Sequence, residues 1–132
     1  MRLGRRFSTV GVVIKRRNVG EADRFLTVFS RAHGKIELLA KGVRRVPSRR
    51  AGHIEIFSHV RLGVYQGKTY TLLTEAMKMP FQPIASGDIT KVSFAYYACE
   101  LTERLLPENE THERVYDAFL TVLKNLGLSG RE

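Results

Sequence analysis

The feature that most limits how this chain can fold is a single change in hydrophobic period. From about residue 9 to residue 77 apolar side chains recur at every second position; beyond Pro80 and Pro83 they recur every three to four. Val10, Val12 and Ile14 alternate with Thr9, Gly11, Val13 and Lys15, which predicts a strand over about 9–17. Arg24 to Ser30 predicts a second strand, with Leu26 and Val28 on one face and Phe25, Thr27 and Phe29 on the other. His33-Gly34-Lys35 turns into a third, where Ile36, Leu38 and Ala40 oppose Lys35, Glu37, Leu39 and Lys41. Ile54 to Tyr65 reads as a long fourth strand, Gln66-Gly67-Lys68 as a hairpin turn, and Thr69 to Met77 as the fifth. Five short strands with glycine at the corners predict a small closed barrel, because closure removes the edges such strands would expose. An OB-type barrel is the expected form and an open sandwich the alternative.

After the prolines, Asp88 or Ser86 can cap a helix that runs to about Leu106 and ends before Pro107. Apolar residues cover most of its circumference, so it should be buried on several sides. The second predicted helix, roughly Thr111 to Leu126, cannot cover it alone. The expected fold class is therefore α+β: a basic five-stranded OB-type barrel over 1–80, then the start of an all-helical domain over 81–132, expected to be incomplete.

Charge follows the same division. Residues 1–80 carry 17 Lys/Arg against 5 Asp/Glu, or +12, whereas residues 81–132 carry 5 against 8, or −3. Such asymmetry predicts a polyanion-binding face on the barrel half. Cys99 is the only cysteine, so the chain holds no internal disulfide and no cysteine zinc site, and a reducing cytosol is the natural setting. The basic start imitates a targeting peptide, but its apolar run, Val10 to Ile14, is too short for a signal core or a membrane span.

Between the third and fourth strands, Val43 to Arg50 has neither period and carries Arg44, Arg45, Arg49 and Arg50 around Pro47. It is expected to bury almost nothing and to form a mobile loop that gathers around phosphate. The plain alternative is a solvated basic loop that only aids solubility. Arg16, Arg17, Arg24, Lys35, Lys41 and Arg61 join the loop as candidate phosphate ligands from outward strand positions. Phe29, Phe57 and Tyr65 are candidate stacking platforms, Tyr65 foremost because it lies near a hairpin tip. In so small a barrel, outward phenylalanines more often pack beneath a helical layer.

Catalytic signals are weak. Nucleophile elbow, phosphate-binding glycine loop and HExxH are all missing, and His33, His53, His59 and His112 lack metal-ligand spacing. Glu21 and Asp23 fit a turn-bracing device. The expected protein is not an enzyme and needs no cofactor within this chain. Two other classes remain: an adaptor that docks an acidic peptide tail, and an RNA-binding OB protein.

Gly20-Glu21-Ala22-Asp23-Arg24, Thr27, Phe29, His33-Gly34-Lys35, Ala40 to Arg45, Ser48 and Arg49 together resemble the RecO family of bacterial recombination mediators. Phe57 resembles the family's aromatic position after the basic loop, although Ile56 stands where a proline is usual. Tyr97, Glu100, Leu101, Leu105, Leu106, Pro107 and Glu108 are similar to the family's first long helix. The resemblance covers about residues 9–126. It implies binding of single- and double-stranded DNA, annealing of complementary strands and assistance in loading RecA. Implied partners are RecR and the acidic C-terminal tail of single-stranded DNA-binding protein, in a cytoplasmic, nucleoid-associated setting with no membrane. Family members commonly run longer and often carry a cysteine zinc site that this chain lacks.

Overall fold

The computed structural model describes residues 4–45, 54–83 and 88–128. Five strands, β1 (Arg6–Val19), β2 (Asp23–Ser30), β3 (Gly34–Ala40), β4 (His59–Gln66) and β5 (Thr71–Lys78), close in the order β1-β2-β3-β5-β4. Two helices follow, α1 (Ile89–Leu105) and α2 (Glu113–Leu128). This is the OB-type barrel with a helical sequel that the change of period predicts.

β1 is long because it serves both sides of the barrel. Its first half runs antiparallel to β4, from Arg6 opposite Tyr65 to Val12 opposite His59; its second half runs antiparallel to β2. The two pairings overlap at Gly11, where an added Cβ would lie 2.5 Å from the Phe29 carbonyl oxygen. Only glycine lets the backbones approach so closely at this bend. A bulge between Val13 and Lys15 turns the strand further. A parallel contact between β3 and β5, Leu39 opposite Leu72, completes the closure.

The fourth strand begins five residues later than the alternation predicts. Residues 54–58 bend instead, with Phe57 at φ 71°. The Val13 N–H donates to the Ser58 carbonyl (3.0 Å) and the Phe57 N–H to the Val13 carbonyl (2.9 Å). A buried turn shows the same every-other-residue apolar spacing as a strand, so periodicity cannot separate them. The basic segment also departs from expectation at its start. Val43 is fully buried and belongs to the barrel core. The part that holds Arg49 and Arg50 lies outside the described residues.

Two cores share the strands. Val13, Leu26, Val28, Ile36, Leu38, Val60 and Leu62 fill the barrel interior. Outward Val12, Ile14 and Phe29 form a second core with Ala95 and Cys99 of α1 and Tyr116, Phe119 and Leu123 of α2. Phe29 meets Tyr116 edge-on, with ring centroids 5.3 Å apart, and Phe119 at 5.6 Å. A fully buried phenylalanine contributes about 1.5–3 kcal/mol, so this ring is an anchor between layers and not a stacking platform. Burial pushes the Cys99 thiol and the Tyr116 hydroxyl in this seam up to about 12.

Polar contacts complete the seam. Arg31 pairs with Glu113 (2.7 Å) and Asp117 (3.0 Å) on α2. Gly34, at φ 70°, lies against the Glu110 backbone, and the Asn109 N–H donates to the Lys35 carbonyl at 2.8 Å. Asp88 caps α1, its Oδ1 accepting from the N–H groups of Thr90 and Lys91. Burial of α1 on several sides is not observed: only Ala95 and Cys99 are buried, and Ile89, Phe94, Tyr97 and Leu105 are exposed. Among the described residues no helix is long and apolar enough to cross a membrane.

Candidate nucleic-acid interface

A cleft of about 380 Å³ opens where the β1–β2 turn, the end of β3 and the β4–β5 hairpin converge. Strand register builds its floor. Phe25 stands opposite Leu39 across β2 and β3, and Leu39 beside Leu72 across β3 and β5. The inward neighbours Leu26, Leu38 and Leu73 belong to the barrel core, so all three floor residues point outward. Tyr70, at the hairpin, leans across the cleft with its ring centroid 5.7 Å from that of Phe25. From β1, opposite Phe25, the Arg17 guanidinium lies over the same ring at 4.9 Å. Lys41 and Lys68 stand exposed on the rims. An apolar floor, a tilted aromatic pair and a cationic rim can accept a flat, unsaturated ring attached to a phosphate chain. The lining's acidic residue is Asp23, whose Oδ1 accepts from the Gly42 N–H at 2.7 Å. It braces the turn, as its sequence context suggests.

The structure sorts the predicted ligands into distinct groups. Arg17 and Lys41 flank the cleft, but Arg24 corrects its outward placement: it shares the strand face of Leu26, opposite to Phe25, and its Nε donates to Asn18 Oδ1 (3.0 Å). Arg45 is exposed at the end of the turn after β3. Arg44 is half-buried and points back: its Nε donates to the Asp23 carbonyl (3.1 Å) and its Nη2 to the Gly20 carbonyl, while its backbone N–H donates to Ala22. A residue predicted to reach for phosphate therefore clasps the β1–β2 turn to the end of β3. Arg16 is taken by Glu55 in an ion pair. Arg61 is exposed on β4, outside the cleft lining, and Tyr65 lies on the same strand with the Arg6 guanidinium 5.0 Å above its ring.

Lys35 requires a correction. It does point out of the barrel, as predicted, but the helical layer covers that face, leaving it 6% exposed. Its Nζ donates to the Glu103 carbonyl in the last turn of α1 and lies 3.6 Å from the Glu103 carboxylate. A lysine so placed serves the negative end of a helix and cannot present its charge to a polyanion. Phe57 likewise packs edge-on against Tyr96, at 4.8 Å.

Phe25, Tyr70 and Lys68 escape sequence reasoning, although a signal for Phe25 existed. A turn centred on Glu21 places Arg17 opposite Phe25, and guanidinium over an aromatic ring is a recognisable cross-strand pair. Lys15, Arg16, Arg31, Lys35 and Arg104 each form an ion pair with a carboxylate. At the cleft, Arg17 faces the Phe25 ring. No cluster of His, Cys, Asp or Glu among the described residues is arranged to hold a metal.

Comparison with known proteins agrees with this architecture. The family model described as Recombination protein O N terminal matches residues 1–79, and that described as Recombination protein O C terminal matches 86–131. The protein from Symbiobacterium thermophilum called DNA repair protein RecO is 33% identical over 126 residues, 96% of this chain and 50% of that one. Proteins of the same name from Roseiflexus sp. and Bifidobacterium adolescentis are 33% and 34% identical, across 91% and 92% of this chain. The chain spans about half the length of these relatives. On these matches, and with a five-stranded barrel leading into helices, the chain belongs to the RecO family of DNA repair proteins.

Proposed function

We propose that this chain binds DNA, without sequence preference, through the cleft between the β1–β2 turn and the β4–β5 hairpin. The observation that carries the reading is the Phe25–Tyr70 pair with Arg17 over it, on the strand face and between the loops that OB barrels use for oligonucleotides. Bases stack on the rings, and Arg17, Lys41, Arg45 and Lys68 lie near the passing phosphates. Neutralising two strands held on such a surface lowers their repulsion and lets base pairing proceed, which is how the chain would promote annealing. Family membership supports a place in recombinational repair, with single- and double-stranded DNA, RecR, the tail of single-stranded DNA-binding protein and, indirectly, RecA as partners. The chemistry proposed is positioning and neutralisation, with no covalent step.

The adaptor reading finds less support. A second cleft, of about 460 Å³, lies between α1 and the barrel, with Lys15, Arg16 and Arg104 on its rim. Each of these cations is already paired, with Glu103, Glu55 and Glu100 respectively. An acidic peptide would have to displace those carboxylates.

Equilibrium binding of oligothymidylate across a salt series tests the proposal. Each phosphate neutralised on a single strand contributes a slope of about −0.7 in log K against log salt, so three to five contacts predict roughly −2 to −3.5. A flat salt dependence, or Tyr70→Leu binding as tightly as the parent protein, would refute it. An RNA of equal length in the same series separates the RNA-binding reading.

A further inference from the structure

Six outward side chains share one register around the end of the barrel. Arg17 stands opposite Phe25, Phe25 opposite Leu39, Leu39 beside Leu72, Leu72 opposite Tyr65, and Tyr65 opposite Arg6. The belt begins and ends in the same way: Arg17 lies 4.9 Å over the Phe25 ring, and Arg6 lies 5.0 Å over the Tyr65 ring. Only the Phe25 end lines the cleft described above; the Tyr65 end lies beyond the hairpin.

We propose that Tyr65, flanked by Arg6, is a second stacking station, on which an unpaired DNA strand leaving the cleft continues around the barrel. This rests on the cleft being the nucleic-acid interface. Neighbouring strands lie about 4.8 Å apart, so Phe25 and Tyr65, three steps apart in the sheet, are separated by roughly 14 Å along the belt. A single strand is flexible enough to follow that curve, with base faces on the rings and Leu39 and Leu72 beneath it. The guanidinium at each end supplies the phosphate contact. A duplex keeps its base faces stacked inside, so it cannot use both rings at once; the belt is a feature for unpaired strands.

The test is the affinity and stoichiometry of dT12 with the full chain and with Tyr70→Leu, Tyr65→Leu, Tyr65→Phe and the Tyr65→Leu/Tyr70→Leu pair. Tyr65→Leu should weaken binding about tenfold, Tyr65→Phe should bind as the parent does, and the pair should lose both increments. One dT12 per chain is expected. The inference falls, with the cleft reading intact, if Tyr70→Leu weakens binding but Tyr65→Leu does not, or if two dT12 molecules bind per chain. Failure of the parent protein to bind dT12 at all removes the cleft reading and this inference together. Melting of DNA-free Tyr65→Leu separates stacking from folding: a midpoint at the parent's value assigns the lost affinity to the ring's contact with DNA, and a lowered midpoint would assign it to packing and overturn the inference.

Discussion

Substituting alanine at Gly34 should damage the joint between barrel and helices far more than the same change at Gly20. Both glycines have positive φ, +70° and +58°, but they differ in what a Cβ would meet. At Gly20 nothing lies within 4 Å, so Gly20→Ala carries only the conformational cost, about 1 kcal/mol. At Gly34 the new atom would collide with the Glu110 carbonyl oxygen and lie 2.6 Å from its carbon, where ordinary contact begins near 3.4 Å. The segment joining α1 to α2 must then retreat by at least about 0.8 Å. That movement stretches the bond from the Asn109 N–H to the Lys35 carbonyl, now 2.8 Å, to about 3.6 Å, beyond useful length. Unsatisfied backbone groups at a part-buried seam cost about 1–3 kcal/mol, so the total at Gly34 should reach about 3 kcal/mol. Urea titration of both variants measures the difference directly, expected to be about 2 kcal/mol. In melting terms this is a gap of roughly 8 °C for a chain of this size. Hydrogen exchange should place the loosening in α1 and α2. Equal stability of the two variants would refute the argument that β2–β3 turn and interhelical segment are interlocked.

Three further outcomes follow from the geometry. Arg44→Ala should lower stability by about 1–2 kcal/mol through its lost bonds to the turn carbonyls and leave the salt slope of DNA binding unchanged; Arg45→Ala should leave stability alone and flatten the slope by about 0.7. A reduced slope in the Arg44 variant would make that residue a phosphate ligand after all. The Glu103 carboxyl is held below its ordinary value of 4.5, first by the hydrogen bond from Lys15 and then by the charges of Lys15 and Lys35. Its contribution is complete above that value and is lost as pH falls through the lower folded-state value, so the stability gap to Glu103→Gln should be constant near neutrality and shrink below about pH 4.5. A gap that persists unchanged into stronger acid would show that the charge is not what matters. Cys99, with its thiol pushed up to about 12 by burial, should resist alkylation at pH 8 in the native protein and react fully in urea; rapid native labelling would contradict its place under α1.

Much of the interface was within reach of the sequence. Hairpin arithmetic from the turns at 20–22 and 31–33 pairs Arg17 with Phe25 and Phe25 with Leu39, whereas the third turn spans 67–70 and not Gln66 to Lys68, which moves Tyr65 opposite Leu72. These pairings depend on residues close in sequence, whose register a short turn dictates. Lys35 shows where such reasoning stops. Alternation says correctly that its side chain leaves the barrel, yet nothing local announces that α1 ends above it. Arg44 meets the same limit: a guanidinium carries the same charge whether it faces a phosphate or, as here, the carbonyls of Gly20 and Asp23 in a distant turn.

Period, turn chemistry and composition therefore carried the strands, the first two hairpin registers, the helices and the side of the chain on which positive charge accumulates. Tertiary structure decided the rest. Only closure brings Leu39 beside Leu72 and so joins two hairpins into one floor, and only docking of the helices separates cations that meet carboxylates from those left facing rings. Both depend on contacts between residues far apart in the chain, where burial and proximity, and not residue type, settle what a side chain can do.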